Sequence, residues 1–367
     1  MAPASFRRFI RGALDFPARR KFRASLAAKP FTPSTDPPAI HFGGVLDDGE
    51  LVAGGKVKLL ALREVFPEKK TDFNILYLVS SAPPRFAEDL VRWAKSKGAR
   101  FVWNQNGVGY PAWAGGNTEE INRPMRRLLG LADFVVYQSE FCRESADRFL
   151  GRAPCESAVL MNPVDTEFFR PCATPLPCEP WRLLVAGTHW DATRVTRAIE
   201  AARLLIDKGH AVELTIAGGL MWRDAETAAR RFVAEKKMEQ AMHFVPAFSQ
   251  QDATRLHQQS HVLLHLKYHD PCPTIVIESL ACGVPVVGSR SGGLPELTGG
   301  ESELIGVPVE WERAHVPGAA EISAAVEKIM RDRDARGMAA RERAMRLFDK
   351  NAWVERHRAI FQKLIAR

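Results

Sequence analysis

Asp270-Pro-Cys-Pro-Thr-Ile-Val-Ile-Glu278-Ser-Leu-Ala-Cys-Gly283-Val284 places one carboxylate in a loop, a second eight positions later at the start of a helix, and a glycine where that helix stops. The residues that follow, Pro285-Val-Val-Gly-Ser-Arg-Ser-Gly-Gly-Leu-Pro-Glu296, read as a short buried strand running into a second glycine turn. Two acidic side chains and two sets of loop amides then meet at one edge of a sheet. Open α/β sheets bind hydroxylated and phosphorylated ligands at such edges.

Outward from this window, short apolar runs alternate with helical patterns. Trp181–Gly187, Val212–Ala217, His243–Val245, Val262–Leu266 and 284–288 read as buried strands, and Val195, Ala198, Ile199, Ala202, Leu205 and Ile206 form a helical stripe behind the first of them. Further helices are expected at 222–238 and, in one or two pieces, over 338–365. The same grammar occupies the first half: strands at Ile75–Val79, Arg100–Trp103 and Phe134–Tyr137, helices at 55–66, 85–97 and 119–131. Strand-helix alternation predicts parallel sheets covered on both faces, so the fold class is α/β and doubly wound.

A chain of 367 residues exceeds what one core usually supports, roughly 250–300 residues. Two domains are therefore expected, split by the stretch 171–180 with its four prolines. The expected parts are an arm at 1–38, a first domain at 39–170, a linker at 171–180, a second domain at 181–335, and helices at 336–367 packing back toward the first domain. The net charge of +8 sits almost wholly in residues 1–30, which carry eight bases against one acid. There Phe6, Phe9, Ile10, Ala13 and Leu14 share a helical face that Pro17 closes. Such a helix can lie on an anionic membrane surface; the plain alternatives are a frayed terminus or a short helix docked on the second domain. Since the body of the chain is nearly neutral, no nucleic-acid partner is expected; binding through the basic arm would show as strong salt dependence. Six cysteines without a Cys-x-x-Cys pair or zinc spacing, no export signal, and no apolar run near ~18 residues point to a cytoplasmic protein with reduced thiols.

Asp270 and Glu278, with Ala-Cys-Gly-Val-Pro-Val-Val-Gly-Ser and Gly-Gly-Leu-Pro-Glu behind them, resemble the donor-site signature of the retaining glycosyltransferases of family four. That family has the GT-B fold, two Rossmann-like domains facing a central cleft. Met161–Pro171, Leu184–Gly187, Ile216–Gly219 and the Gly54-Gly55 pair are similar to further segments of the family, so the resemblance spans about 40–365.

The resemblance implies a nucleotide-diphosphate sugar as donor, a glycan or lipid-linked glycan as acceptor, and no cofactor or metal. It assigns Glu278 to the ribose hydroxyls and Asp270 to a hydroxyl of the transferred hexose. Thr274 and Ile275 at the helix start, with Gly187, Thr188, His189 and Gly218, complete the donor side. Gly54, Gly55 and Asn106, beside Asn104 and Gln105, are expected on the acceptor side. The family's transfer is front-face, the departing phosphate helping to deprotonate the acceptor, and no Ser-His-Asp or Cys-His arrangement is evident here. Asp47 and Asp48 lack the spacing of an Asp-x-Asp metal motif.

Three departures from the family pattern stand out. Asp270 replaces the usual glutamate, Pro273 lacks an amide proton, and the usual Arg and Lys after the first donor-domain strand become Thr188 and Thr193. Arg194 is then the expected cation for the diphosphate, with His189 or Arg290 as substitutes. His265 and His269 are expected to be structural. The alternatives are a weakly active or inactive nucleotide-sugar-binding scaffold on the same fold, or an epimerase or hydrolase. The expected location is the cytoplasm, in association with the inner face of the membrane.

Overall fold

The structure is a computed structural model that describes residues 16–35, 37–46 and 57–366. The chain divides into two compact units. The first comprises Met1–Asn162, Trp311–Arg313 and Lys350–Arg367, and the second Pro163–Glu310 and Ala314–Asp349. The division thus falls before the expected 170, the Pro-rich 171–180 stretch lies inside the second unit, and of the expected 336–367 helices only the one from Lys350 belongs to the first.

In the first unit a five-stranded parallel sheet has the order β1 (Ile40–His41), β2 (Ile75–Val79), β3 (Arg100–Gln105), β4 (Phe134–Tyr137), β5 (Ser157–Val159). Its helices are α1 (Phe16–Ala27), α2 (Val57–Val65), α3 (Ala87–Ser96), the single turn α4 (Pro111–Ala114), α5 (Thr118–Leu129), α6 (Glu140–Phe149) and, from the chain end, α14 (Lys350–Ile365). Both sheet faces are covered, which is why β2 and β4 are apolar throughout. Phe101, Trp103, Val135 and Tyr137 pack into one cluster, while the alternate residues Val102, Phe134 and Val136 pack with Trp353 and Phe361 of α14 into another.

Helix α1 corrects the reading of the basic arm. Pro17 lies in the first turn of this helix, where its missing amide is harmless. Arg19 and Arg23 both grip Asp89 of α3, a carboxylate whose side chain is 4% exposed, and Leu26 is buried in the same unit. Part of the N-terminal charge therefore holds α1 onto the first unit. The apolar face expected at Phe6, Phe9, Ile10, Ala13 and Leu14 lies outside the described residues, as do Asp47, Asp48, Gly54 and Gly55.

The second unit holds a six-stranded parallel sheet ordered β11 (Glu303–Ile305), β10 (Val286–Ser289), β9 (Val262–His265), β6 (Trp181–Ala186), β7 (Val212–Ala217), β8 (Met242–Val245). Its helices are α7 (Thr193–Asp207), α8 (Ala225–Glu235), α9 (Gln250–Gln258), α10 (Thr274–Ala281), α11 (Leu294–Leu297), α12 (Ala319–Met330) and α13 (Arg333–Leu347). Helix α7 buries Val195, Ile199 and Leu205 completely against the sheet, each such side chain contributing roughly 1.5–3 kcal/mol. No helix among the described residues is long and apolar enough to cross a membrane.

Candidate functional site

The strand order of the second unit reverses between β6 and β9. Loops leaving these two neighbours at their carboxyl ends diverge, and the crevice between them is where doubly wound sheets take ligands. Here the loop after β6 carries Gly187, Thr188, His189 and the start of α7, and the loop after β9 carries Lys267 through Pro273.

Hydrogen bonding between β6 and β7 continues past the strand ends. Gly187 N donates to Ala217 O at 3.1 Å, His189 N to Gly219 O at 2.9 Å, and Met221 N to His189 O at 2.8 Å. At Gly218 the backbone has φ +110°, and a Cβ there would lie 2.1 Å from the Gly187 carbonyl oxygen. Gly218, expected as a donor-binding residue, thus answers first to this close approach of two backbones.

His189 corrects a second expectation. Its ring is fully buried, Nε2 donates to Ala217 O at 3.1 Å, and Nδ1 accepts from Arg194 Nη2 at 2.8 Å. Burial, and then the neighbouring guanidinium, lower its pKa to about 4, so it is a neutral brace and not a cation. Arg194 is itself buried, also reaches the Thr188 carbonyl at 3.4 Å, and has its pKa lowered by burial while Asp270 and Asp191 oppose that effect. Thr188 is exposed at the loop tip.

Arg194 and Asp270 are therefore close enough for their charges to interact, as the sequence spacing alone could not show. Asp270 Oδ2 lies 2.9 Å from Lys267 Nζ and 3.5 Å from His265 Nε2. Burial alone would raise the Asp270 pKa, but Lys267 and His265 outweigh it and hold the carboxyl well below the usual range. His265, expected to be only structural, thus belongs to the carboxylate's surroundings. The backbone is fixed as tightly: Gly293 N donates to Asp270 O at 2.9 Å, and Gly292, at φ +65°, packs so closely that a Cβ would lie 2.6 Å from that oxygen. His269, just before Asp270, is held at φ +50° and stacks on Tyr268 with ring centroids 3.9 Å apart. A left-handed non-glycine residue beside a buried carboxylate is the kind of strain that collects at ligand sites.

Glu278 lies in the second turn of α10, because Pro273 is the N-cap and the helix starts at Thr274; the expected position at the helix start is corrected accordingly. The residue is 8% exposed. Among the described residues its carboxylate makes no hydrogen bond; His257 Nε2 of α9 lies 3.9 Å away. His257 is fully buried, and neither of its ring nitrogens has a hydrogen-bond partner among the described residues. Burial, and then the Glu278 charge, raise the Cys282 thiol to about 12. Thr274 and Ile275, half-buried, form the first positions of α10, whose N-terminus no side chain caps. Its amides are therefore positioned for an anion.

Arg290 is placed elsewhere. Its Nη2 donates to Leu304 O at 3.2 Å, and it lines a cavity of about 360 Å³ with Thr298, Glu303, Lys328 and Arg336 along the β10–β11 edge. Neither Asp270 nor Glu278 lines that cavity.

On the first unit's sheet the sequence reading overlooked Lys58. This lysine of α2 is 4% exposed and donates at 3.0 Å each to Asn104 Oδ1, Asn106 Oδ1 and Gln138 Oε1. Asn106 Nδ2 donates in turn to Ser81 Oγ at 2.6 Å, and Asn104 Nδ2 to the Tyr77 hydroxyl at 2.7 Å. Gln105 accepts from Trp103 Nε1 and donates to Gly107 O. The amides expected to touch an acceptor are thus already engaged in a buried network, with Asn106 at its edge. Among the described residues no cluster of His, Cys, Asp or Glu could hold a metal ion.

Residues 174–344 match the family described as glycosyl transferases group 1, and the two parallel α/β units match GT-B glycosyltransferase structures. The fold is thus that of GT-B structures, and the similarity to glycosyl transferases group 1 lies in the second unit.

Among curated proteins, the chain is 29% identical over 125 residues to the amylovoran biosynthesis glycosyltransferase AmsK of Erwinia amylovora, covering 32% of this chain and 30% of that protein. It is 26% identical over 216 residues to the D-inositol 3-phosphate glycosyltransferase of Saccharomonospora viridis, covering 54% and 49%. The matched regions span about a third and about half of these relatives. Among solved structures, Anabaena Alr3699/HepE in complex with UDP superposes with a TM-score of 0.64 at 15% identity, over 84% of this chain and 81% of that one. Sucrose-phosphate synthase of Thermosynechococcus elongatus superposes with a TM-score of 0.65 at 16% identity, over 94% and 91%.

Proposed function

We propose that the protein is a retaining, metal-independent hexosyltransferase that takes its sugar from a nucleotide-diphosphate donor and passes it to a glycan or lipid-linked glycan. The observation that carries this reading is Glu278: a carboxylate on a doubly wound domain, nearly buried, to which no group among the described residues donates a hydrogen bond. A nearly buried carboxylate without protein donors is open to hydrogen bonds from a ligand. A ribose diol offers two hydroxyl donors. The uncapped start of α10 supplies amides for the diphosphate, and Asp270, kept ionised by its neighbours, supplies an acceptor for a hydroxyl of the sugar. The structural neighbour crystallised with UDP, and the match to glycosyl transferases group 1, support the same assignment.

In this reading no protein nucleophile takes part. The bond from the sugar C1 to the β-phosphate oxygen breaks with its electron pair left on phosphate. The acceptor oxygen bonds to C1 on the same face, and its proton passes to the released phosphate. Preorganised positive charge and amide dipoles stabilise the leaving group.

The test is to incubate the purified protein with UDP-, GDP- and ADP-linked hexoses, with and without short glycan acceptors, and to follow product by nuclear magnetic resonance. Transfer with the anomeric configuration kept, and only when acceptor is present, is the expected result. Donor breakdown or sugar interconversion without acceptor would replace transfer by hydrolysis or epimerisation. Nucleotide binding without turnover on any acceptor would leave a binding scaffold.

A further inference from the structure

Resting on the donor reading above, we propose that Lys267 is the cation that neutralises the departing diphosphate. The two positions where the family resemblance places Arg and Lys are occupied here by Thr188 and Thr193. Positive charge must then come from another part of the edge, and the surroundings of each base decide which.

His189 is neutral, with both ring nitrogens engaged. His265 is buried, and burial favours its neutral form. Arg194 is buried and tied to His189 and the Thr188 carbonyl. Arg290 is directed to the β11 edge. Lys267 differs from all four: its side chain is 43% exposed, and its ammonium is anchored 2.9 Å from Asp270, whose own side chain is only 14% exposed.

An ammonium has three protons, and the ion pair with Asp270 leaves room for phosphate oxygens on the same nitrogen. The backbone of the residue that anchors it is fixed, its carbonyl accepting from the Gly293 amide and packed against Gly292. Lys267, Asp270 and the uncapped start of α10 at Thr274 all belong to the one connection between β9 and α10. Charge for the β-phosphate thus comes from the same loop that contacts the sugar. Asp270, a methylene shorter than glutamate, positions Lys267 as well as accepting from the sugar. As the C1–oxygen bond breaks, the charge developing on the β-phosphate falls to Lys267 and the helix start together.

Titration calorimetry with UDP, GDP and ADP and with their monophosphates tests this. The wild type should prefer the diphosphate of its cognate base. Lys267→Met keeps the stem and removes the charge; it should weaken diphosphate binding about 10–100-fold, as loss of a charged hydrogen bond implies, and change monophosphate binding by less than about twofold. Lys267→Arg should keep the preference. Arg290→Met should leave both affinities unchanged. A Lys267→Met protein that keeps the diphosphate preference, or a Lys267→Arg protein that loses it as the Met variant does, overturns the role of Lys267 and leaves the donor reading standing. A wild type that binds no nucleoside diphosphate overturns both.

Discussion

Arg194 donates from Nη2 to Nδ1 of His189 at 2.8 Å, and the same imidazole donates from Nε2 to the Ala217 carbonyl at 3.1 Å. One neutral ring therefore ties the first turn of α7 to the end of β7, across the glycine loop that follows β6. His189→Ala leaves a buried guanidinium and a buried carbonyl each short of a partner. A loss of about 2–4 kcal/mol in urea unfolding is expected, from the two lost hydrogen bonds and the space left by the ring. A loss below about 0.5 kcal/mol would mean that the ring is not a brace.

Gly218 and Gly187 provide an internal contrast. Both have φ near +110°, at +110° and +108°, but only at Gly218 would a Cβ collide, 2.1 Å from a backbone oxygen; at Gly187 it would meet nothing within 4 Å. Gly187→Ala should lower stability by about 1–2 kcal/mol, the cost of backbone strain alone. Gly218→Ala should lower it by more than about 3 kcal/mol, because the β6 and β7 loops must separate. Thermal melts of the two variants side by side would check the order.

Glu278→Gln separates binding from folding. Because the carboxylate makes no hydrogen bond within the described residues, stability should change by less than about 1 kcal/mol. Affinity for nucleoside and for nucleoside diphosphate should fall together by roughly tenfold or more, since an amide accepts less well from a diol than a carboxylate does. Calorimetry and urea unfolding on one preparation give both numbers.

Acid should destabilise the fold before its carboxylates titrate. Burial lowers His189, His261 and His269 to about 4 and His357 to about 3, against ~6.5 when unfolded. The unfolded chain therefore binds protons first as pH falls. Stability from these groups is complete above pH ~6.5 and is lost progressively toward pH ~4. Each group can contribute up to about 2 kcal/mol of loss at pH 5. Urea midpoints at pH 7.5 and 5.0 should differ accordingly, and His357→Gln, which leaves Tyr77 an acceptor, should reduce the difference. A midpoint that does not move would contradict the burial-driven shifts.

The central strands were legible in the sequence because strands buried on both faces are continuous apolar runs: Ile75–Val79 and Phe134–Tyr137 lie where they were expected. The edge strands β1, β5 and β11 were not, since two or three residues carry no periodicity. Helix α9 was missed because Gln250–Gln258 is almost wholly polar, although Ser249 and Asp252 form its capping box. Missing α9 meant missing His257, whose Nε2 lies 3.9 Å from the Glu278 carboxylate. At the site the residue types and spacing brought Asp270 and Arg194 into consideration, but not their ion-pair environment. Lys267 sits three residues before Asp270 in a loop, a spacing that carries meaning only once the turn is known. Lys58 was overlooked because one base in a helix carries no signal by itself, and only the packing of α2 reveals its amide partners Asn104, Asn106 and Gln138.

The most direct test is a crystal structure of the protein soaked with UDP, GDP and ADP in turn. The expected result is one nucleotide with both ribose hydroxyls within hydrogen-bond distance of the Glu278 carboxylate and its β-phosphate at the start of α10. A nucleotide seated elsewhere, or a Glu278 carboxylate still facing His257 with no ribose against it, would contradict the assignment.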